Sequence, residues 1–372
     1  MEIIHIILGK ANPNRMNGVN KVVNYLAQHQ KALGYKVSVW GITDTPNEIN
    51  YPARNYETRL FKASRYRFIV DRKLLKAIAQ QKNKCVFHFH GGFIPEFYSI
   101  SKQLSKHNLP YILTPHGSYN KIAMERSKLS KKCHIRLFEK SLIDSAAAIH
   151  CLGESEISGL ASISHQNKCI LIPNGQDTDA LQYAHKALDK NKYVFGFCGR
   201  LDIHTKGLDI LLRAFAEWNT HHDNGVALWL IGDGKEREQL ENMAMQLKIS
   251  NKVCFLGSQF GEEKLNTIAH MDVFFHPSRN EGIPTAVLEA SGLGVPSVVS
   301  PESNLSKEIN NYGAGIGMLK NDVKHLKAAM ELTYQNISQE NNYSKNAKRM
   351  IKSVFNWESI AKQLIENYKE IV

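Results

Sequence analysis

The sequence predicts an α/β protein with two doubly wound parallel sheets, and three observations carry that expectation. Short apolar strand candidates alternate with longer stretches of helical period, and this rhythm stops once and restarts. The 372 residues are too many for one ordinary core, and they suit two domains of roughly 150 to 200 residues each.

In the first run, strands are expected at Ile3 to Leu8, Lys36 to Trp40, Cys85 to His90, Tyr111 to Thr114, Ala146 to Cys151 and Cys169 to Ile172, with a helix over Gly18 to Leu33. Pro173-Asn174-Gly175 and a polar passage to Lys192 break the pattern. It resumes at Tyr193 to Cys198 and continues with Ala227 to Ile231, Val253 to Leu256, Asp272 to His276 and Val295 to Val299. A strand followed by a crossover helix implies a mostly parallel sheet covered on both faces. From Asp322 the chain reads as helical to its end, with a break at Val354 to Glu358. Asn356 is a candidate N-cap for a last helix carrying Trp357, Ile360, Leu364 and Tyr368 at helical spacing. The expected domains are 1–175 and 176–355.

The composition, 43% hydrophobic with 24 Gly and 11 Pro, is that of a globular protein. No apolar run reaches the ~18 residues of a membrane span, and Glu2, His5 and Lys10 interrupt the first one, so a cytoplasmic protein is expected. Cys85, Cys133, Cys151, Cys169, Cys198 and Cys254 stand singly, which favours reduced, buried thiols over disulfides or zinc. The net charge of +12 is uneven: residues 1–190 hold 27 Lys and Arg against 14 Asp and Glu, and residues 191–372 hold 20 against 21. An anionic lipid surface or a phosphate-bearing acceptor would suit the first half. Nucleic acid would suit that charge too, but no recognition motif accompanies it, and no nucleic-acid partner is expected.

Five strand exits carry candidate chemistry. The loop from Gly9 to Gly18 either connects or lines a ligand at a helix N-terminus, and it lacks the glycine spacing of dinucleotide enzymes and the Gly-Lys-Ser/Thr of a phosphate-binding loop. His88 and His90 alternate on a strand end without an acid or Cys at ligand spacing, so no metal is expected there. Thr114-Pro115-His116-Gly117 repeats the geometry one strand later, and its imidazole either bonds locally or donates to a sugar or phosphate oxygen. In Gly199-Arg200-Leu201-Asp202-Ile203-His204-Thr205-Lys206-Gly207 two cations six residues apart flank a turn into a helix, where both can converge on a pyrophosphate. Pro277 to Ala290 places Glu281 at a strand's carboxyl end. Gly282, Ile283, Pro284 and Thr285 follow at a helix N-terminus suited to phosphate, and Glu289 stands eight residues after Glu281.

These residues, in this order, resemble the retaining glycosyltransferase family 4, also called the group 1 glycosyltransferases. The match runs from the opening loop through Pro115-His116-Gly117, Ile172-Pro173-Asn174-Gly175, Gly199-Arg200-Leu201 and Lys206-Gly207 to the Glu281 and Glu289 pair. The resemblance implies the GT-B fold of two facing Rossmann-like domains: an acceptor-side domain 1–175 on which the closing helix 356–372 packs back, and a nucleotide-sugar-binding domain 176–355. It implies Glu281 and His116 as catalytic groups at the transferred sugar. Gly18, Arg200, Lys206, Gly282, Ile283, Pro284, Thr285 and Glu289 become donor-binding positions, with Arg200 and Lys206 on the diphosphate and Glu289 on the ribose. No metal or other cofactor is implied. Two departures from the family pattern are Ile283, where an aromatic is common, and Gln176 in Asn174-Gly175-Gln176-Asp177.

The Thr-Pro-His-Gly form, with the basic run Lys128, Lys131, Lys132 behind it, further resembles enzymes that build capsular or other surface polysaccharide on a polyprenyl diphosphate. The implied reaction moves a sugar from a UDP- or GDP-sugar to a glycan or polyprenyl-diphosphate acceptor with retained configuration. A sugar-nucleotide epimerase of the same fold, or a non-enzymatic anionic-ligand- or nucleic-acid-binding protein, is the alternative. The segment Arg59 to Lys76, with Arg59, Lys62, Arg65, Arg67, Arg72, Lys73 and Lys76 interleaved with Phe61, Tyr66, Phe68, Ile69, Leu74 and Leu75, is the expected contact with an anionic membrane surface, helped by Arg126, Lys128, Lys131 and Lys132.

Overall fold

The computed structural model describes residues 1–13, 18–81, 84–120, 123–124, 128–164, 168–176, 193–222, 225–337 and 342–372. The chain divides into two units, Met1–Gly175 with Trp357–Val372, and Gln176–Asn356.

The first unit is one parallel sheet in the order β3-β2-β1-β4-β5-β6-β7, built from β1 (Glu2–Leu8), β2 (Lys36–Thr43), β3 (Glu57–Lys62), β4 (Cys85–His90), β5 (Tyr111–Thr114), β6 (Ala148–Cys151) and β7 (Cys169–Leu171). Ile3, Ile4, Ile6 and Ile7 of β1 are all buried, because a central strand of a covered parallel sheet has no wet face. Ile4, Ile6, Phe87, Phe89, Leu113 and Ile149 meet Leu74 and Ile78 of the helix Arg72–Ala79 and Phe97, Ile100 and Leu104 of the helix Pro95–Lys106. On the opposite face, Ile3, Ile7, Val86, Ile112, Ala148 and Ile170 meet the helix Gly18–Ala32 through Val22, Val23 and Leu26. The C-terminal helix Trp357–Ile371 closes the same face with Trp357, Ile360, Leu364, Ile365 and Tyr368. Gly175 is a glycine for a steric reason, since a Cβ there would stand 2.3 Å from the Trp357 ring.

The second unit repeats the plan in six parallel strands, β10-β9-β8-β11-β12-β13: β8 (Tyr193–Cys198), β9 (Val226–Ile231), β10 (Val253–Gly257), β11 (Val273–His276), β12 (Ser297–Val299) and β13 (Gly315–Gly317). Strand order reverses between β1 and β4 in the first unit and between β8 and β11 in the second. At such switch points the loops leaving the strands' carboxyl ends diverge and open a crevice for ligands.

Two expectations need correction. The segment Arg59 to Lys76, expected to offer its apolar side chains to a membrane surface, buries part of them. Its start is edge strand β3, whose charged Glu57, Arg59 and Lys62 hid the strand pattern, and its end is the helix from Arg72, with Phe61 and Leu74 inside the core. Only Cys85, Cys151 and Cys198 are buried; Cys133, Cys169 and Cys254 are exposed, and all six are free. The three-residue β13, two of whose residues are glycine, carried no strand signal. Asn356 stands in a bridge with Gln176. Arg15, Met16, Asn17, Arg126 and Asp177 lie outside the described residues, as does the stretch 177–192.

Leu364 is fully buried against the sheet. Leu364→Ala is therefore expected to cost about 2–5 kcal/mol, read as a lower urea midpoint by circular dichroism.

Candidate active site

The second unit brings its two expected motifs together at the β8/β11 switch point. β8 delivers Gly199, Arg200 and Leu201, and the Asp202 side chain then caps the short helix Ile203–Lys206 by accepting from Thr205 N–H at 2.7 Å. Gly207 has φ 65° and lies so close to the loop after β11 that a Cβ would sit 1.9 Å from the Pro277 carbonyl oxygen. The two loops are also stapled chemically. Arg279 donates two 2.8 Å bonds to Asp209 and one to the His204 carbonyl, and Ser278 Oγ donates to the Thr205 carbonyl at 2.8 Å.

This staple places Lys206 against Glu281. Lys206 Nζ donates to Glu281 Oε1, and the buried His276 donates to the same oxygen from Nε2 at 3.2 Å. Burial alone would raise the Glu281 carboxyl, but the His276 bond and the Lys206 charge outweigh it and hold the group at about 2. His276 is lowered by burial, with Glu281 acting against that shift. Asn304 donates to the carbonyls of Glu281 (2.8 Å) and Gly282 (2.7 Å) and so fixes the peptide planes that lead into the helix Thr285–Leu293. That helix follows Pro284 with no side-chain cap; Val287 N–H bonds the Pro284 carbonyl at 3.1 Å, and the N–H groups of Thr285 and Ala286, which precede the helix's own ladder, suit an outside acceptor.

Glu289 is buried inside this helix with Lys264 Nζ 2.8 Å from Oε1 and 2.7 Å from Oε2, so its charge already has a counterion. Arg200 is exposed and forms no ion pair among the described residues. The expected convergence of Arg200 and Lys206 on one anion thus becomes, in the protein without ligand, a Lys206–Glu281 pair beside an unpaired Arg200. Ile283 is buried, Pro284 forms the N-cap position, and Thr285 is the first helical residue. His276, Asn304, Lys264 and the Arg279–Asp209 pair were not anticipated. Each comes from a strand end or helix whose place beside the motifs depends on the fold.

In the first unit His116 leaves β5 in the left-handed region (φ 51°), followed by Gly117 at φ 83°. The buried Glu156 holds this turn by accepting from the N–H of Gly117 and, at 2.7 Å, of Leu152. His116 Nε2 lies 3.1 Å from His90 Nδ1. His5 from β1 joins His88 and His90, their ring nitrogens lying within 4.8 Å of one another. Gly18 opens the helix Gly18–Ala32, and a Cβ there would meet nothing within 4 Å among the described residues beyond its own helix.

Two doubly wound units of this kind, with an anion-ready helix N-terminus and a cation–carboxylate pair at a switch point, define a GT-B protein of the glycosyltransferase class. The chain belongs to the group 1 glycosyltransferases: residues 181–350 match the family described as "Glycosyl transferases group 1", and residues 16–180 match "Glycosyltransferase Family 4". An uncharacterized glycosyltransferase of Methanocaldococcus jannaschii is 25% identical over 247 residues, 66% of this chain and 62% of that protein. The chain spans less than two thirds of the length of the curated relatives it matches most strongly. The structure of Anabaena HepE in complex with UDP and glucose superposes with a TM-score of 0.75 at 14% identity, covering 100% of both chains. WaaG, a glycosyltransferase involved in lipopolysaccharide biosynthesis, superposes with a TM-score of 0.69 at 15% identity, over 97% of this chain and 98% of WaaG.

The depressed Glu281 carboxyl contributes stability above its unfolded value of 4.5 and loses it as pH falls toward about 2. Glu281→Gln should accordingly cost about 1–3 kcal/mol at pH 7. In thermal melts its gap to the parent protein should narrow steadily as pH is lowered below 4.5.

Proposed function

We propose that the protein transfers a sugar, with retention of configuration, from a UDP- or GDP-sugar to a hydroxyl of a glycan or polyprenyl-diphosphate-linked acceptor in surface polysaccharide assembly. The observation that carries this reading is the joining of Lys206, Glu281 and the uncapped start of the helix Thr285–Leu293 at the second unit's switch point. In this reading the donor diphosphate takes the backbone N–H groups of Gly282, Ile283 and Thr285 together with Arg200 and Lys206, and Glu289 holds the ribose. As the bond from the anomeric carbon to the diphosphate lengthens, negative charge grows on the leaving oxygen and the two cations offset it. Glu281, kept ionised by His276 and Lys206, faces the transferred sugar and the positive charge that develops on it. His116 contacts the same sugar, and Gly18 lets the opening loop approach the donor. HepE, of similar fold, holds UDP and glucose, and WaaG acts in lipopolysaccharide biosynthesis, which supports a nucleotide-sugar donor and a surface-glycan acceptor.

Glu281→Gln should lower transfer by about 10²-fold or more while the protein stays folded, because it removes one preorganised charge at the sugar. A donor screen of the purified protein, reading UDP or GDP release with a lipid-extract acceptor, measures this. Transfer should also persist in EDTA, since Arg200 and Lys206 supply the positive charge. A strict Mg²⁺ or Mn²⁺ requirement would contradict that assignment of roles.

The same reading puts the enzyme in the cytoplasm, bound reversibly to an anionic bilayer through its first unit. No helix among the described residues is long and apolar enough to cross a membrane. Tyr66, Phe68 and Ile69 are exposed on the loop after β3, and the Phe68 ring sits 4.4 Å from that of Phe138 beside the exposed Leu137. Of the neighbouring cations, Arg59 is paired with Glu57, Arg67 with Glu96, and Lys62 donates to the Asp44 carbonyl, which leaves the exposed Arg65, Arg72, Lys73 and Lys76 to meet lipid headgroups. Each contributes up to about 1 kcal/mol at low salt. Replacing these four by Ser should abolish sedimentation with anionic liposomes and leave the already weak binding to neutral ones unchanged.

A further inference from the structure

Besides the Tyr56–Asn24 hydrogen bond, the sheet face covered by the helices Gly18–Ala32 and Trp357–Ile371 carries one connected row of polar side chains among its apolar ones. His150 Nε2 lies 2.8 Å from the Ile172 carbonyl oxygen, and His150 Nδ1 lies 2.8 Å from Thr114 Oγ1. Thr114 Oγ1 is 2.6 Å from His88 Nε2, and His88 Nδ1 is 2.6 Å from the Tyr368 hydroxyl. Gln30 then links Tyr368 (3.4 Å) to His5 Nε2 (2.7 Å). His5 Nδ1 meets His90 Nε2 at 2.9 Å, and His90 Nδ1 meets His116 Nε2 at 3.1 Å.

A backbone carbonyl accepts only, and that fixes every proton in the row. His150 must carry its proton on Nε2, so its Nδ1 accepts and Thr114 donates to it. Thr114 has spent its one proton, so His88 donates from Nε2 and accepts from Tyr368 at Nδ1. The Tyr368 oxygen accepts from the Gln30 amide, whose carbonyl oxygen therefore faces His5 and accepts from its Nε2. His90 donates from Nε2 to His5, and His116 donates from Nε2 to His90. Each imidazole is neutral: burial lowers His5 and His150 to about 4, His116 to about 3, and His88 and His90 well below the ordinary value. Every ring nitrogen of His5, His88, His90 and His150 is used in this way, so the cluster is explained as a relay without a bound cation. Of the ring nitrogens in this row, His116 Nδ1 alone has no partner among the described residues.

We propose that Ile172, His150, Thr114, His88, Tyr368, Gln30, His5 and His90 act as a positioning relay that locks His116 as the Nε2–H tautomer, so that its Nδ1 meets substrate as a hydrogen-bond acceptor. The group it recognises is then a hydroxyl that donates, and a phosphate oxygen is refused. This replaces the expectation that His116 donates. The substrate contact rests on the proposed transferase reading, whereas the tautomer does not.

Two-bond ¹H–¹⁵N spectra of the ¹⁵N-histidine-labelled full chain test the relay without any activity assay. At pH 7 all five rings should show a pyridine-like Nδ1 and a pyrrole-like Nε2. Inorganic pyrophosphate should leave the His116 Nδ1 shift unchanged. Tyr368→Phe and Thr114→Val each cut the row away from its carbonyl anchor and should move His116 toward a tautomer average. An Nδ1–H or mixed His116 in the parent protein overturns the proposal, and that measurement decides even where neither variant folds. Protonation of Nδ1 on adding pyrophosphate, or a His116 signal unmoved in both folded variants, overturns it as well.

Discussion

Parallel strands cannot be joined by a tight turn, and the rest of this structure follows from that constraint. Each connection must cross back over a face of the sheet, so every strand delivers its next loop at the same edge. Strand order then reverses once in each unit, and the loops on either side of the reversal part. In the second unit those loops are Gly199–Gly207 and Pro277–Thr285, parted except where Gly207 lies against Pro277 and where Ser278 and Arg279 bond the Thr205 and His204 carbonyls.

The charges gathered there are held in a definite balance. A carboxylate as enclosed as Glu281 would ordinarily take up a proton, which would make it useless as an anion. Lys206 and His276 prevent this from two directions on one oxygen. Glu289 has its own counterion in Lys264. Both acids of the pair are thus supported by a cation that comes from a different element, and the charge is set before any ligand arrives. Preorganisation of this kind is what makes a buried charge useful, because nothing has to reorient as the reaction proceeds.

How much of this the sequence disclosed depends on where each residue stands relative to its partners. The apolar central strands were legible because burial on both faces leaves unbroken runs such as Ile3 to Leu8. Strand β3 was not, because an edge strand shows charge outward, and its Arg59 and Lys62 read as a surface patch. Glu281, Lys206 and Gly207 were visible through their spacing within strand-exit loops. Lys264 and Asn304 were invisible, since no local pattern marks a side chain whose only signature is its partner 25 or 23 residues away. His88 and His90 stood out as an alternation, but their meaning depended on His5, Thr114 and His150, which the sheet order places beside them.

A buried polar row in an apolar layer is costly unless every member is satisfied, and a half-satisfied one is worse than none. Here the condition is met by a one-way sequence of donors and acceptors, and it constrains more than stability. Gln30 and Tyr368 come from two different helices, so the row accepts one placement of the C-terminal helix against the sheet. A leucine-rich interface would tolerate small slips; this one does not. The sense of the whole row is set by the Ile172 carbonyl, an atom that no side-chain substitution removes. The end of the chain and the ring at the strand exit are therefore linked by the direction of protons, a property that packing alone cannot supply.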